Sequence, residues 1–104
     1  MLERLLRGLS ISMSWKVTIL KKAEIDLTWF RKNDRTCYLK CFDLVREMSQ
    51  EPRTGTGKPE RLKHFDREVW SRRVSHEHRL IYVIYPDEEL IEITSCRSHY
   101  DELP

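Results

Sequence analysis

The sequence predicts an α+β fold: a short first strand, then a helical hairpin packed on one face of a mostly antiparallel sheet. Two observations carry that expectation. From Lys21 to Met48 apolar residues recur at helical spacing, in two runs that meet at Asn33-Asp34. From Val69 to Cys96 the chain instead favours β-branched and aromatic residues in alternation, cut by turn residues. Between them lie Pro52, Gly55, Gly57 and Pro59, which allow neither period.

The elements follow in order. Trp15 to Leu20 alternates and reads as a strand. Lys21 to Asn33 is a helix, with Ala23, Leu27 and Phe30 on one face and Ile25 and Trp29 beside it. Asp34 is a good N-cap for a second helix, whose stripe is Cys37, Tyr38, Cys41, Leu44, Val45 and Met48. Glu51 to Glu60 is a loop. Val69 to Ser75 is a strand whose Trp70 fills the core. His78 to Tyr85 is the next, with Leu80, Tyr82 and Ile84 alternating against Arg79, Ile81 and Val83. Pro86 to Glu89 is a turn, and Leu90 to Cys96 the last strand. Short connections make these three strands an antiparallel meander.

A chain of 104 residues holds one domain and one modest core. We expect that domain to run over residues 15–100, with an extension at 1–14 and a tail at 101–104. Leu2, Leu5, Leu6 and Leu9 have helical spacing, but charges interrupt them and no run suits a signal peptide or a membrane span. The expectation is therefore a cytoplasmic protein without membrane contact, and residues 1–14 read either as a short amphipathic helix or as sequence upstream of a start at Met13. Its three cysteines are then reduced thiols. Cys37, Cys41, Cys96 and His99 can be written as a Cys₃His zinc set. The i,i+4 pair sits on an apolar stripe, however, where cysteine behaves as a small hydrophobe. Neither a metal nor a cofactor is expected.

The net charge is only +2, so any basic surface must be local. Arg61, Lys63, His64, Arg67, Arg72, Arg73, His76, His78 and Arg79 cluster in one stretch. That suits an anionic partner such as nucleic acid, and equally an ordinary solvated face.

Within and after that stretch lie groups that could cleave RNA by acid and base. Ribose carries its own nucleophile, the 2′-hydroxyl. Cleavage then needs a base, an acid and cations for the charge on phosphorus. Glu60, among Lys58, Arg61 and Lys63, could be the base. His99 could be the acid, because imidazole titrates near neutrality. Arg79 could hold a phosphate, and Tyr100 could stack on a base. Singly, each reads as well as a surface residue, and spacing alone does not bring them together.

Four ordered segments sharpen this reading. They are Gly57-Lys58-Pro59-Glu60-Arg61-Leu62-Lys63, Trp70-Ser71-Arg72-Arg73-Val74, His78-Arg79-Leu80-Ile81-Tyr82 and Cys96-Arg97-Ser98-His99-Tyr100. In content and order the set resembles the YoeB/Txe branch of the RelE superfamily of bacterial toxins. The resemblance implies a RelE-like, microbial-ribonuclease fold and an endoribonuclease that cuts mRNA in the ribosomal A site. It implies Glu60 as general base, Arg79 for transition-state stabilisation, His99 as general acid and Tyr100 for substrate positioning. Lys63 and Arg73, with Arg72 and Arg97, would meet RNA phosphates. A YefM-like antitoxin is the implied partner, and such toxins are often homodimers. Two departures stand out. Asp66-Arg67-Glu68 fills a stretch where the family tends to carry glycine, and Asp101 to Pro104 continues beyond the usual terminal tyrosine. The alternatives are a non-nuclease toxin of the same fold, like the ParE type that poisons DNA gyrase, and a module that only binds antitoxin as a co-repressor.

Overall fold

The computed structural model describes residues 14–97. The start at Met13, the 1–14 extension up to residue 13, His99, Tyr100 and the tail lie outside the described residues. The elements are β1 (Lys16–Ile19), α1 (Lys21–Asn33), α2 (Arg35–Gln50), β2 (Glu60–Arg61), β3 (Glu68–Arg73), β4 (Arg79–Tyr85), a 3₁₀ turn at Pro86–Glu88, and β5 (Leu90–Ser95).

One residue separates the two helices. The Asp34 N–H donates to Phe30 O at 2.7 Å, and its carboxylate accepts from Cys37 N at 3.1 Å. The first bond closes α1 and the second satisfies an orphan donor of α2. The same backbone N–H holds the Asp34 carboxyl below the usual carboxylate range.

The sheet order is β1-β5-β4-β3-β2. β3, β4 and β5 form the expected meander, and β1 joins β5 in parallel. A parallel neighbour needs a long crossover, and here the hairpin and meander supply it. The sequence reading omits β2, because two residues show no period. Its place comes from pairing: Glu60 lies opposite Ser71 and Arg61 opposite Trp70.

The core lies between hairpin and sheet. Ala23, Phe30, Cys37, Cys41, Leu44 and Met48 meet Leu80, Tyr82, Ile84, Ile91 and Ile93. The alternate residues of β4 are not open to solvent. Ile81 and Val83 pack with Leu62 and Val69 in a second, smaller cluster. Trp70 is only partly buried against the main core, and its indole N–H donates to Glu68 Oε2 at 2.8 Å.

All three cysteines are buried and unpaired by disulfide. Burial, then the bond with Asp34, pushes the Cys37 thiol up to about 11. Hydrogen bonding with Cys41, then burial, pushes the Cys96 thiol up as well. Both stay protonated at neutral pH and act as core atoms.

Leu44 is fully buried and supports both the sheet and the loop before β2. Leu44→Ala should cost about 2–5 kcal/mol, from lost transfer energy and a residual cavity. Urea unfolding measures it; an unchanged midpoint would mean that α2 does not pack as described.

Candidate active site

The outer face of the sheet, away from the helices, is specified by register. Residues directly opposite in neighbouring strands point the same way. Glu60, Ser71, Ile81 and Ser95 are consecutive partners across β2, β3, β4 and β5. They form one row. Arg73 and Arg79 pair in the adjacent row, on the same face. Like charges directly opposite repel, so this pair creates a local positive site beside a carboxylate. An anion between the two arginines would relieve the repulsion.

A bulge brings β5 into this arrangement. Tyr82 pairs with Ile93, but Ile81 pairs with Ser95, leaving Thr94 as the extra residue. Its hydroxyl donates to Ile81 O at 3.1 Å. The bulge turns Ser95 to the outer face and Cys96 to the core, where its thiol lies 3.9 Å from Ala23 O. Ser95 is 4% exposed, and its hydroxyl has no hydrogen-bond partner among the described residues.

The cations differ in what they are available to do. Arg73 is exposed at the end of β3, and Lys63 is exposed just beyond β2. Arg79 is 9% exposed, with Nη1 donating to Ser75 O, His76 O and His78 O at 2.9, 3.2 and 3.0 Å. These bonds fix the guanidinium and close the β3–β4 turn through it. Glu60 is exposed on the edge strand.

One expected RNA contact is corrected. Arg72 points to the opposite face from Arg73, is fully buried, and donates inward to Tyr82 and to loop carbonyls. It offers no charge to an RNA phosphate. Arg97, half-buried, lays its guanidinium on Trp29, 3.7 Å from the ring centroid, a stack that leaves its in-plane N–H donors unblocked.

The sequence reading misses Asp26, a carboxylate 2% exposed on α1. It accepts from Cys96 N at 3.0 Å, from Arg97 N at 3.3 Å and from Lys22 Nζ at 2.7 Å. It thus ties down the chain leaving β5, just before residues 98–100. The signal was available: Asp26 falls between Ala23 and Phe30 on the buried stripe, where a carboxylate needs partners.

The loop entering β2 is similarly braced. Arg53 holds Glu68 through two bonds, Nε to Oε2 at 2.7 Å and Nη2 to Oε1 at 3.1 Å. Glu47 accepts from the Thr56 hydroxyl and N–H, and these bonds hold its carboxyl below the usual range. Gly55 has φ +117°, and a Cβ there would collide with the Glu47 carboxylate.

A helical hairpin on one side of a five-stranded sheet, in the order β1-β5-β4-β3-β2, is a RelE-like fold. An archaeal RelE from Pyrococcus horikoshii OT3, solved with RelB, shares this fold at TM-score 0.68 and 17% identity. The chain belongs to the YoeB-like toxins of bacterial type II toxin-antitoxin systems, whose family model matches residues 20–100. It is 39% identical over 85 residues to toxin YoeB of Synechocystis, covering 82% of this chain and 96% of that one. The YoeB dimer of Staphylococcus aureus aligns at TM-score 0.74 and 34% identity, over 84% of this chain and 99% of that chain. The YoeB-YefM heterotetramer of the same species aligns at TM-score 0.71 and 34% identity, over 83% and 98%.

The Arg53–Glu68 brace has a pH signature. The guanidinium bond, aided by the Trp70 N–H, holds the Glu68 carboxyl below its ordinary 4.5. The unfolded chain therefore binds the proton first on acidification. The pair's contribution is present above about pH 4.5 and lost as pH falls towards the lowered folded value. Stability of wild type minus that of Glu68→Gln should shrink across that window in urea titrations. A constant difference from pH 7 to pH 3 would show that the pair does not form.

Proposed function

We propose that this toxin is a ribosome-dependent endoribonuclease that cleaves mRNA in the A site by acid–base chemistry on the 2′-hydroxyl. The observation that carries the reading is the placement of Glu60, Arg73 and Arg79 on one face by strand register. Glu60 takes the 2′-hydroxyl proton, and the freed oxygen attacks the adjacent phosphorus. The bond to the 5′-oxygen breaks as His99 protonates that leaving group. The products are a 2′,3′-cyclic phosphate and a 5′-hydroxyl. Arg79 and Arg73 offset the charge that builds on the phosphoryl oxygens, most strongly in the transition state. Tyr100 positions the substrate, and Lys63 holds a flanking phosphate.

Dependence on the ribosome fits the scarcity of stacking platforms. Single-stranded RNA is normally gripped by several aromatic residues. Tyr85 has its hydroxyl bonded to Glu92 and Arg67, which leaves the exposed Phe65 and Tyr100 as the chief candidates. The exposed cations Lys58, Arg61, Lys63, Arg67 and Arg73 would instead dock on ribosomal RNA. Action on translating ribosomes also places the protein in the cytoplasm. By analogy with the staphylococcal assemblies, a YefM-like antitoxin neutralises it, and two toxin copies can pair.

Glu60→Gln and His99→Ala should each lower single-turnover cleavage of ribosome-bound mRNA by about 10²–10⁴-fold while the fold survives. Wild-type rates in both variants would overturn the assignment. Naked message should be cut far more slowly than ribosome-bound message, and toxin binding to ribosomes should weaken steeply with salt. Equal cleavage of both forms would remove the ribosome from the mechanism.

A further inference from the structure

We propose that Arg72 is a positioning residue: from inside the core it sets where Glu60 stands on the outer face, without touching substrate. The inference rests on the ribonuclease reading for its consequence in rate, though not for its geometry.

Between the end of α2 and β2 the chain runs nine residues without a helix or strand. Its carbonyls converge on one side chain. Arg72 Nη2 donates to Thr54 O at 2.6 Å, Glu51 O at 3.1 Å and Pro52 O at 3.3 Å. Nη1 donates to Thr56 O at 3.1 Å, and Nε to the Tyr82 hydroxyl at 3.1 Å. That hydroxyl in turn donates to Pro52 O at 2.7 Å. The next residue in β3 completes the clamp, with Arg73 N donating to Gly57 O at 2.6 Å.

The guanidinium satisfies loop carbonyls that an apolar residue would leave buried and unpaired, so it supports the fold while it sets the path of the loop. Arg72 is fully buried, and its nearest carboxylate, Glu47, is 3.5 Å away and already bonded to Thr56. What the guanidinium supplies is geometry: a planar fork that fixes four carbonyls and a phenol at once. A lysine, a single point charge on a flexible stem, cannot reproduce it.

The link from the clamp to Glu60 is short and stiff. Gly57 has φ +83°, and a Cβ there would meet Arg72 Cβ, Arg73 O and Leu44 Cδ2, each at 3.1 Å. Lys58 is also left-handed, with φ 49°. Pro59 has its own φ locked by the ring. Three constrained residues therefore separate the clamped loop from the carboxylate, and a shift of the loop is passed on to Glu60.

Two measurements on the full chain test this. In the first, Arg72→Lys, Glu60→Gln and the double variant are compared in single-turnover cleavage on ribosomes programmed with a defined message. Their affinity is read on ribosomes carrying the same message with a 2′-deoxy residue at the cut. Misplacing the base should slow the chemical step of Arg72→Lys by about 10²-fold. Affinity should hold, and Arg72→Lys should cost nothing further in the Glu60→Gln background. A wild-type rate, an undiminished cost in that background, or a loss of affinity matching the loss of rate would each overturn the proposal. In the second, the amide resonance of Glu60 should move in Arg72→Lys while those of Ile91 to Ile93 stay. An unmoved Glu60 would overturn the geometric claim even if no cleavage is seen. If Arg72→Lys does not fold, Tyr82→Phe removes one strand of the clamp and should show the same pattern, smaller in size. Wild-type inactivity, or a Glu60→Gln variant at full rate, would instead reject the ribonuclease reading.

Discussion

The face that Glu60 shows depends on the register of a two-residue strand. Glu60 pairs with Ser71 and therefore lies on the side of Arg73 and Arg79. Side chains alternate along a strand, so a slip of one residue would turn Glu60 towards Trp70 and bring Arg61 to the outer face. Two residues have too little pairing energy to choose between these registers alone. The choice is made at both ends. Upstream, Gly57 O is bound to Arg73 N; downstream, Leu62 N donates to Val69 O at 2.8 Å. Leu62 then enters the outer apolar cluster with Val69, Ile81 and Val83, which a slipped strand would leave unfilled.

That outer cluster also explains why β4 can carry a charged site at one end. The strand is buried along nearly its whole length, on both faces. Packing on two sides makes it rigid, and Arg79 begins it, where the turn carbonyls of Ser75, His76 and His78 can compensate the guanidinium. A cation in the middle of β4 would have no such acceptors and would be costly to bury. The site therefore sits at the sheet's end, where backbone carbonyls and solvent both remain within reach.

Much of this was legible in the sequence, for local reasons. Both bounds of α1 match, because Asp34 sends two signals at once, a stop for one helix and a cap for the next. The meander was readable from alternation in Leu80, Tyr82 and Ile84. β2 was not, because its strand character comes from its partner alone. Arg72 could have been placed correctly from parity. Trp70 reads as a core residue, and two positions on, Arg72 must share its face while Arg73 takes the other. Treating the two arginines as equivalent cations overlooked that alternation. The stack of Arg97 on Trp29 had no local signal, since it joins residues far apart in the chain.

The helical layer lies on the far side of the sheet from the outer face, yet a buried charge beneath the sheet holds each of two irregular segments, the loop before β2 and the backbone after β5. Arg72 fixes the loop that leads to Glu60. Asp26, supported by Lys22, fixes the backbone at Cys96 and Arg97. The two charges differ in sign because the groups they hold differ. A loop without regular structure presents carbonyl oxygens to the core and calls for a donor. A strand that has just left its ladder presents unpaired N–H groups and calls for an acceptor. In both places an apolar residue would fill the same volume and leave backbone dipoles buried and unsatisfied, at about 1–3 kcal/mol for each group. The polar residues of this core are thus the complement of the irregular backbone beside the outer face, and each takes the sign that the backbone dipoles around it require.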